Sequence, residues 1–317
     1  MKKLVCVAGP TGSGKTGLGI EIAKKFGGEI ISADSMQIYK KLNIGTAKPT
    51  IDEMEGIPHH LIDIISPFSE FSVKEFVDIA NEKIDEILAR GNLPIVVGGT
   101  GLFISSLIDN VKFSEGETDN KLREELRLIA EKNGPEYLHN MLKEIDYDSY
   151  LRLHPNNIKR VIRAIEIYKT TGITMTEQIK NSKNVPPSFD LKYFGLNADR
   201  QYIYERINKR VDVMVYKGLF SEVENLYKEG LNLSYKSMQA IGYKEIIMYL
   251  EGKLEKKEAI DLIKQESRRY AKRQLTWFRR DERIKWIDIL KYDTPLKQLE
   301  YVSGLLESRN ELPDGVN

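Results

Sequence analysis

Eight residues near the start of the chain, Gly9-Pro10-Thr11-Gly12-Ser13-Gly14-Lys15-Thr16, fit the pattern G-x-x-x-x-G-K-[ST]. The chemistry this spacing serves is anion capture. Glycines let successive backbone N–H groups turn toward phosphate oxygens, and the N-terminus of a following helix adds a favourable dipole. Lys15 supplies a point charge, and the Thr16 hydroxyl can ligate Mg²⁺. The spacing specifies a phosphate but not its owner: a nucleotide tail and the diphosphate of another substrate fit equally well. Asp34, which closes a second apolar run, is a carboxylate placed early enough to serve as a base or a metal ligand. His59-His60, with Asp63 nearby, has the look of part of a metal site. No third histidine follows at ligand spacing, so packing or backbone hydrogen bonding is expected there.

These residues need elements to hold them. Leu4 to Ala8 is a short apolar run of the kind that forms a buried parallel strand, and Gly17 to Phe26 reads as a helix with Leu18, Ile22 and Ala23 on one side. Strand, glycine loop and helix is the context a phosphate loop requires. Glu29 to Asp34 reads as a second strand, with Asp34 and Ser35 at its C-terminal end, where open α/β sheets bind ligands. A helix is expected over Val73 to Ala89. A third strand, Leu93 to Val97, is ended by Gly98-Gly99-Thr100-Gly101. From about Glu115 to Asn184 strand signals stop, and Lys121–Lys132, Pro135–Ile145 and Asn157–Thr170 read as three helices. Lys192 to Leu196 returns as a strand, and the remainder reads as mostly helical.

The fold class is therefore α/β: a P-loop NTPase-like parallel sheet flanked by helices, with an all-α insertion. The expected organisation is a core of residues 1–114 and 185–317 interrupted by a helical domain of residues 115–184. With 317 residues, 41% hydrophobic and 30% charged, the composition is that of an ordinary globular protein. The single cysteine, Cys6, excludes an internal disulfide and a multi-thiolate metal site. The apolar run after Met1-Lys2-Lys3 is too short for an export core, and no stretch is apolar enough to span a membrane, so a cytoplasmic location is expected.

Two features bear on the partner. In nucleotide hydrolases an aspartate usually closes a strand to hold Mg²⁺, yet Leu93–Val97 ends in Gly-Gly-Thr. A small-metabolite kinase using Asp34 stays open on loop and fold alone. Second, Lys264 to Lys285 carries nine Lys or Arg residues against three acids, with Tyr270, Trp277 and Phe278 interleaved. That pattern suits phosphate contacts and base stacking on RNA, and equally a solvated amphipathic helix with aromatics in the core. Lys159 to Arg163 forms another basic patch. With net charge only +1, affinity for nucleic acid has to come from such clusters. An RNA-binding protein with a vestigial loop is a third reading.

Six stretches in order resemble the tRNA dimethylallyltransferase (tRNA isopentenyltransferase) family: GPTGSGKT (9–16), SADSMQIYKKLNIGTAKP (32–49), PHHLID (58–63), VVGGTGLF (96–103), QAIGYKE (239–245) and KRQLTWFRR (272–280). The resemblance implies transfer of a dimethylallyl group from dimethylallyl diphosphate to N6 of the adenosine 3′-adjacent to the anticodon, in tRNAs reading U-starting codons. It implies that the loop Gly9, Pro10, Thr11, Gly12, Ser13, Gly14, Lys15 and Thr16 holds the prenyl diphosphate, that Asp34 is the base and that Mg²⁺ sits near Thr16. An arginine, Arg210 in preference to Arg206, joins the donor site. Family contacts to the tRNA anticodon stem-loop fall on Asp34, Ser35, Met36, Gln37, Thr100 and Arg123. They continue on Lys159, Arg160, Val161, Ile162 and Arg163, and on Gln239, Ala240, Ile241, Gly242, Tyr243 and Lys244. The last group is Lys272, Arg273, Gln274, Thr276, Trp277 and Arg279. The insertion is expected to grip the stem-loop, and its presence argues against the related enzymes that prenylate free adenine nucleotides. No membrane partner is implied, and the family precedent is a monomer.

Overall fold

The computed structural model describes residues 1–111, 119–183 and 188–307. Two compact units result, one of residues 1–107 with 189–317 and one of residues 108–188. The expected boundaries at 114/115 and 184/185 lie outside the described residues.

The larger unit is built on six parallel strands: β1 (Lys2–Ala8), β2 (Gly28–Ala33), β3 (His59–His60), β4 (Leu93–Gly98), β5 (Phe189–Asn197) and β6 (Lys285–Asp288). Their order is β3-β2-β4-β1-β5-β6. β1 lies between β4 and β5, with Val5 opposite Ile95 on one side and Lys192 on the other. Every residue of β2 is buried, and so are the last five of β1 and of β4. Helices cover both faces of such a sheet, which is why these strands read as unbroken apolar runs. Val5, Val7, Ile30, Ile95, Val97, Phe194 and Leu196 meet Leu18 and Ile22 of the helix Lys15–Phe26 and Ile203, Ile207 and Ala271 of two later helices. A β-carbon on Gly19 would come within 2.6 Å of Val97, so that glycine sets how closely the first helix approaches the sheet. The helix Val73–Ala89 starts on a reciprocal cap: Ser72 Oγ accepts the Glu75 N–H at 3.2 Å, and Glu75 accepts the Ser72 N–H at 2.7 Å. Its buried face is Phe76, Val77, Ala80, Ile84 and Ile87, one helical stripe.

Two strands fall where none was expected. β6 has only four residues, one of them buried, and it follows a basic stretch, so no alternation shows. β3 has two residues, held against β2 by pairing of Ile30 with His59 and Ile31 with His60.

The smaller unit has helices at Asn120–Asn133, Pro135–Asn140, Leu142–Ile145, Tyr147–Arg152, Ile158–Thr171 and Met175–Lys183, and no strand among its described residues. The single helix expected over 135–145 is two, interrupted at Met141. The two unforeseen helices, Tyr147–Arg152 and Met175–Lys183, share one buried carboxylate. Asp146 accepts the Ser149 N–H and hydroxyl at 3.0 and 2.7 Å, and the Thr176 N–H and hydroxyl at 3.0 and 2.6 Å. Such short helices depend on caps rather than propensity, which makes them faint in a sequence.

At the N-terminal end of the sheet, buried Glu29 accepts from Arg90 Nε and Nη2 at 2.9 and 2.8 Å and from Asn92 at 2.8 Å, and it meets His60 Nε2 at 2.6 Å. The Arg90 guanidinium above all, then Asn92 and His60, holds its carboxyl at about 2 against desolvation, below the ordinary 4.5. His59 gives its Nδ1 proton to the Ile57 carbonyl at 2.8 Å. The neighbouring histidines therefore serve β2 and the turn before β3. A carboxyl depressed on folding stabilises above its unfolded value and loses that contribution as pH falls through the folded one. Urea unfolding should show Glu29→Gln losing about 2 kcal/mol at pH 7, with the gap to wild type closing as pH drops from 4.5 toward 2.

Candidate active site

The phosphate loop follows β1 at the C-terminal edge of the sheet. Gly12 and Gly14 have φ of +83° and +91°, a region closed to most side chains. Gly14 is the N-cap of the helix Lys15–Phe26, and no side chain caps it, which leaves the first-turn N–H groups to an anion. Ser13 is buried within the loop, and Thr16 is exposed on the first turn.

Cations converge on this loop. Burial, and then the Arg210 charge, push the Lys15 ammonium down to about 8, with Asp34 acting in the opposite direction. Arg210 comes from the helix Arg200–Tyr216 and points Nη1 at Thr11 Oγ1, 3.4 Å away. Burial lowers its guanidinium too, and Asp34 again opposes. Arg206, one turn earlier and exposed, brings Nη2 within 3.8 Å of the position a β-carbon on Gly14 would take. Both candidate arginines thus reach the loop, Arg210 from the buried side and Arg206 from the open side.

Asp34 follows β2 directly. Its Oδ1 accepts the N–H groups of Met36 at 2.9 Å and Gln37 at 3.3 Å. Among the described residues Oδ2 has no hydrogen-bond partner, so half the carboxylate is available to a substrate. The turn is braced from β4: Thr100 Oγ1 accepts the Ser35 N–H at 3.1 Å, and the Thr100 N–H reaches the Ala33 carbonyl at 3.1 Å. Gln37 spends its amide inside the protein, accepting from Ser32 at 3.2 Å and donating to the Thr46 and Ala47 carbonyls at 3.2 and 3.3 Å.

The third wall is the helix Lys256–Phe278. Gly99 and Gly101 make room for it, as Gly98 does for β2. A β-carbon on Gly98 would overlap the Ala33 carbonyl, one on Gly99 the Gln274 amide, and one on Gly101 the Trp277 indole. Gln274 Oε1 accepts the Thr11 N–H at 2.9 Å, and its Nε2 donates to the Gly99 carbonyl at 2.9 Å. Tyr270, one turn earlier, lies by Thr100 and Gln274, and burial pushes its phenol up to about 12.

The expected RNA-facing residues divide. Lys159, Arg160, Gln239, Lys272, Arg273, Thr276 and Arg279 are exposed, and Trp277 is 38% exposed. Ser35, Met36, Thr100, Ile241 and Lys244 are partly exposed. Others cannot offer side chains to a partner in this conformation. Val161 and Ile162, 0% and 8% exposed, are core residues of the helical unit because they occupy the apolar stripe of the helix Ile158–Thr171. Ala240 and Gly242 are buried, as is Tyr243, whose hydroxyl donates to Glu222 at 2.6 Å. Gln274, 6% exposed, has both ends of its amide committed within the protein. Of the aromatics read as stacking platforms, Phe278 is buried and Tyr270 turns inward. In the helical unit Arg123 and Arg163 converge on buried Glu166, at 2.8 and 2.7 Å. Their half-exposed guanidinium groups are fixed in place by that carboxylate, while Lys159 and Arg160 are open to solvent.

Sequence reasoning missed Glu222, which accepts the N–H groups of Asn43, Ile44 and Gly45 at 3.1, 2.8 and 3.2 Å and so holds the loop that follows the Asp34 turn. No local pattern marks it, since its partners lie about 180 residues away. Tyr270 carried one signal, its i, i+4 spacing from Gln274.

A parallel six-stranded sheet, a glycine loop with two half-buried cations and a half-free carboxylate are those of a P-loop-like α/β protein. Within that class the chain belongs to the IPP transferase family, whose model matches residues 37–281. The chain is 51% identical over 304 residues to the tRNA dimethylallyltransferase of Acetivibrio thermocellus, covering 95% of this chain and 97% of that one. Among solved structures it resembles the full-length tRNA isopentenylpyrophosphate transferase of Bacillus halodurans (43% identity, TM-score 0.72, 97% of each chain covered). It also resembles a eukaryotic dimethylallyltransferase acting on tRNA (31% identity, TM-score 0.82, 98% of this chain and 81% of that one). No described helix is long and apolar enough to cross a membrane.

The lowered Lys15 ammonium has a measurable consequence. Anion capture needs its charged form, so calorimetric affinity for inorganic diphosphate should fall as pH rises from 7 through about 8 to 9. Lys15→Ala should bind weakly with a flatter profile over the same range.

Proposed function

We infer that the chain transfers the dimethylallyl group of dimethylallyl diphosphate to the exocyclic N6 of the adenosine 3′-adjacent to the anticodon in tRNAs reading U-starting codons. The observation that carries this reading is the half-free Asp34 carboxylate, coupled electrostatically to Lys15 and Arg210 at a phosphate loop. The identity to a tRNA dimethylallyltransferase supports it.

The residues suit the chemistry. The N6 lone pair is delocalised into the adenine ring, so the amine is a poor nucleophile. Asp34 Oδ2 can orient the amine and take its proton as the N–C bond forms. The allylic C–O bond breaks, the electron pair leaves with diphosphate, and the growing negative charge meets the loop N–H groups, Lys15 and Arg210. Two cations opposite one carboxylate give the site a positive bias that favours the departing diphosphate. The exposed Thr16 hydroxyl fits Mg²⁺ of the kind that takes its remaining ligands from diphosphate oxygens and water, and such an ion would neutralise the leaving group. The acceptor adenosine must leave its stack to reach Asp34. Exposed Lys272, Arg273 and Arg279 on one unit, and Lys159 and Arg160 on the other, are the proposed phosphate contacts of the stem-loop, with Trp277 offering a ring for stacking.

A transfer assay with radiolabelled dimethylallyl diphosphate, Mg²⁺ and unmodified anticodon stem-loop RNA tests this, with AMP and ATP as competitors. Label should appear on the loop adenosine, and Asp34→Asn should lower kcat by about 10²- to 10⁴-fold while RNA binding holds. Label on AMP alone, or tight ATP binding without transfer, would overturn the reading.

A further inference from the structure

The donor loop and the acceptor carboxylate stand on different strands, the loop after β1 and Asp34 after β2, with β4 between them. Something must fix the gap across which the bond forms. Asp34 and the loop share no hydrogen bond among the described residues. They are joined through the helix Lys256–Phe278.

Gln274 is the first half of that joint. Its two amide atoms make one bond to each side, Oε1 to the Thr11 N–H in the loop and Nε2 to the Gly99 carbonyl after β4. Only one orientation of the amide satisfies both, since an N–H needs the oxygen and a carbonyl needs the NH₂. Gly99 admits it by lacking a β-carbon. Tyr270 is the second half, its phenol lying by Gln274 and Thr100. Thr100 in turn receives the Ser35 N–H next to Asp34. The bonds from Thr11 through Gln274 to Gly99, and from the adjoining Thr100 to Ser35, thus tie the loop to the residue beside the base. Every link is buried or half-buried, so water competes poorly for it.

We propose that Tyr270 and Gln274 are positioning residues, a two-residue clamp that sets the spacing between the diphosphate loop and Asp34. This rests on the transferase reading. The loop amides, Lys15 and Arg210 hold the donor without the clamp, and the exposed basic residues hold RNA without it. Its loss therefore falls on the reacting geometry and leaves ground-state binding in place. A misplacement of about 1 Å can cost on the order of 10²-fold in rate.

The test is steady-state transfer by the full chain with dimethylallyl diphosphate and stem-loop RNA, comparing wild type, Gln274→Met and Tyr270→Phe, with RNA affinity from filter binding. Gln274→Met keeps the side-chain volume and removes both bonds. The expected result is kcat lower by about 30-fold in Gln274→Met and about 5-fold in Tyr270→Phe, with donor KM and RNA Kd within about threefold of wild type. Wild-type kcat in both variants overturns the clamp, as does a loss confined to RNA affinity, which would make Gln274 an RNA contact. If Gln274→Met does not fold, Tyr270→Phe decides alone, and an unchanged kcat overturns the proposal. An active wild type with unaffected variants sinks the clamp only. A wild type that binds diphosphate and RNA yet transfers nothing sinks the transferase reading and, with it, the clamp's role.

Discussion

Lys15 and Arg210, both pushed down by burial and only partly relieved by Asp34, meet at the loop, and the site depends on that surplus of positive charge. Burial disfavours the charged forms of Lys15 and Arg210, and each makes the other's charge harder to hold. Asp34 relieves only part of this. A diphosphate supplies negative charge to both groups, so its binding relieves the cost of holding two cations in a desolvated place. The same imbalance explains why a donor that leaves as an anion suits the site. The charge that develops as the bond breaks meets groups already oriented for it, with little reorganisation left to do.

Bringing those groups together takes close backbone approach on three sides. β1 delivers the loop, β2 delivers Asp34, and β4 ends in glycines so that the Lys256–Phe278 helix can press Gln274 and Trp277 against the turn. The Arg200–Tyr216 helix closes the remaining side with Arg206 and Arg210. Among the described residues most polar groups in these contacts are spoken for, while one oxygen of Asp34, the Ser13 hydroxyl and the first-turn amides of the loop are not.

Much of this was legible in the sequence, for identifiable reasons. Buried parallel strands and a capped helix such as Val73–Ala89 write themselves in apolar runs and a Ser-x-x-Glu box, and the loop has a spacing of its own. β6 and the short helices around Asp146 did not show, since each depends on partners far along the chain. The site was legible where a residue type has one use, as with Lys15, and misleading where a polar residue has two. Gln274 and Tyr243 lie in stretches expected to face RNA, but their side chains bind the protein. Val161 and Ile162 lie in a basic helix, but its apolar stripe claims them. Which face a residue occupies is decided by tertiary packing, and a basic run alone does not reveal it.

The pairing of β1 with β5 has a consequence for how the molecule comes into being. β1 is made first, and the strand that covers one of its edges, with Leu191 against Leu4, arrives only after residues 108–188 have been synthesised. Until then the nascent sheet can assemble only as β3-β2-β4-β1, with β1 as an exposed border, apolar beyond Lys2 and Lys3, the kind of edge that recruits strands from other chains. The interposed unit, contiguous and made of local helical contacts, matures on a faster clock than the sheet it interrupts. A strand at the centre of the finished sheet thus spends much of translation as its edge, and closure of the sheet waits until the helical unit has been made.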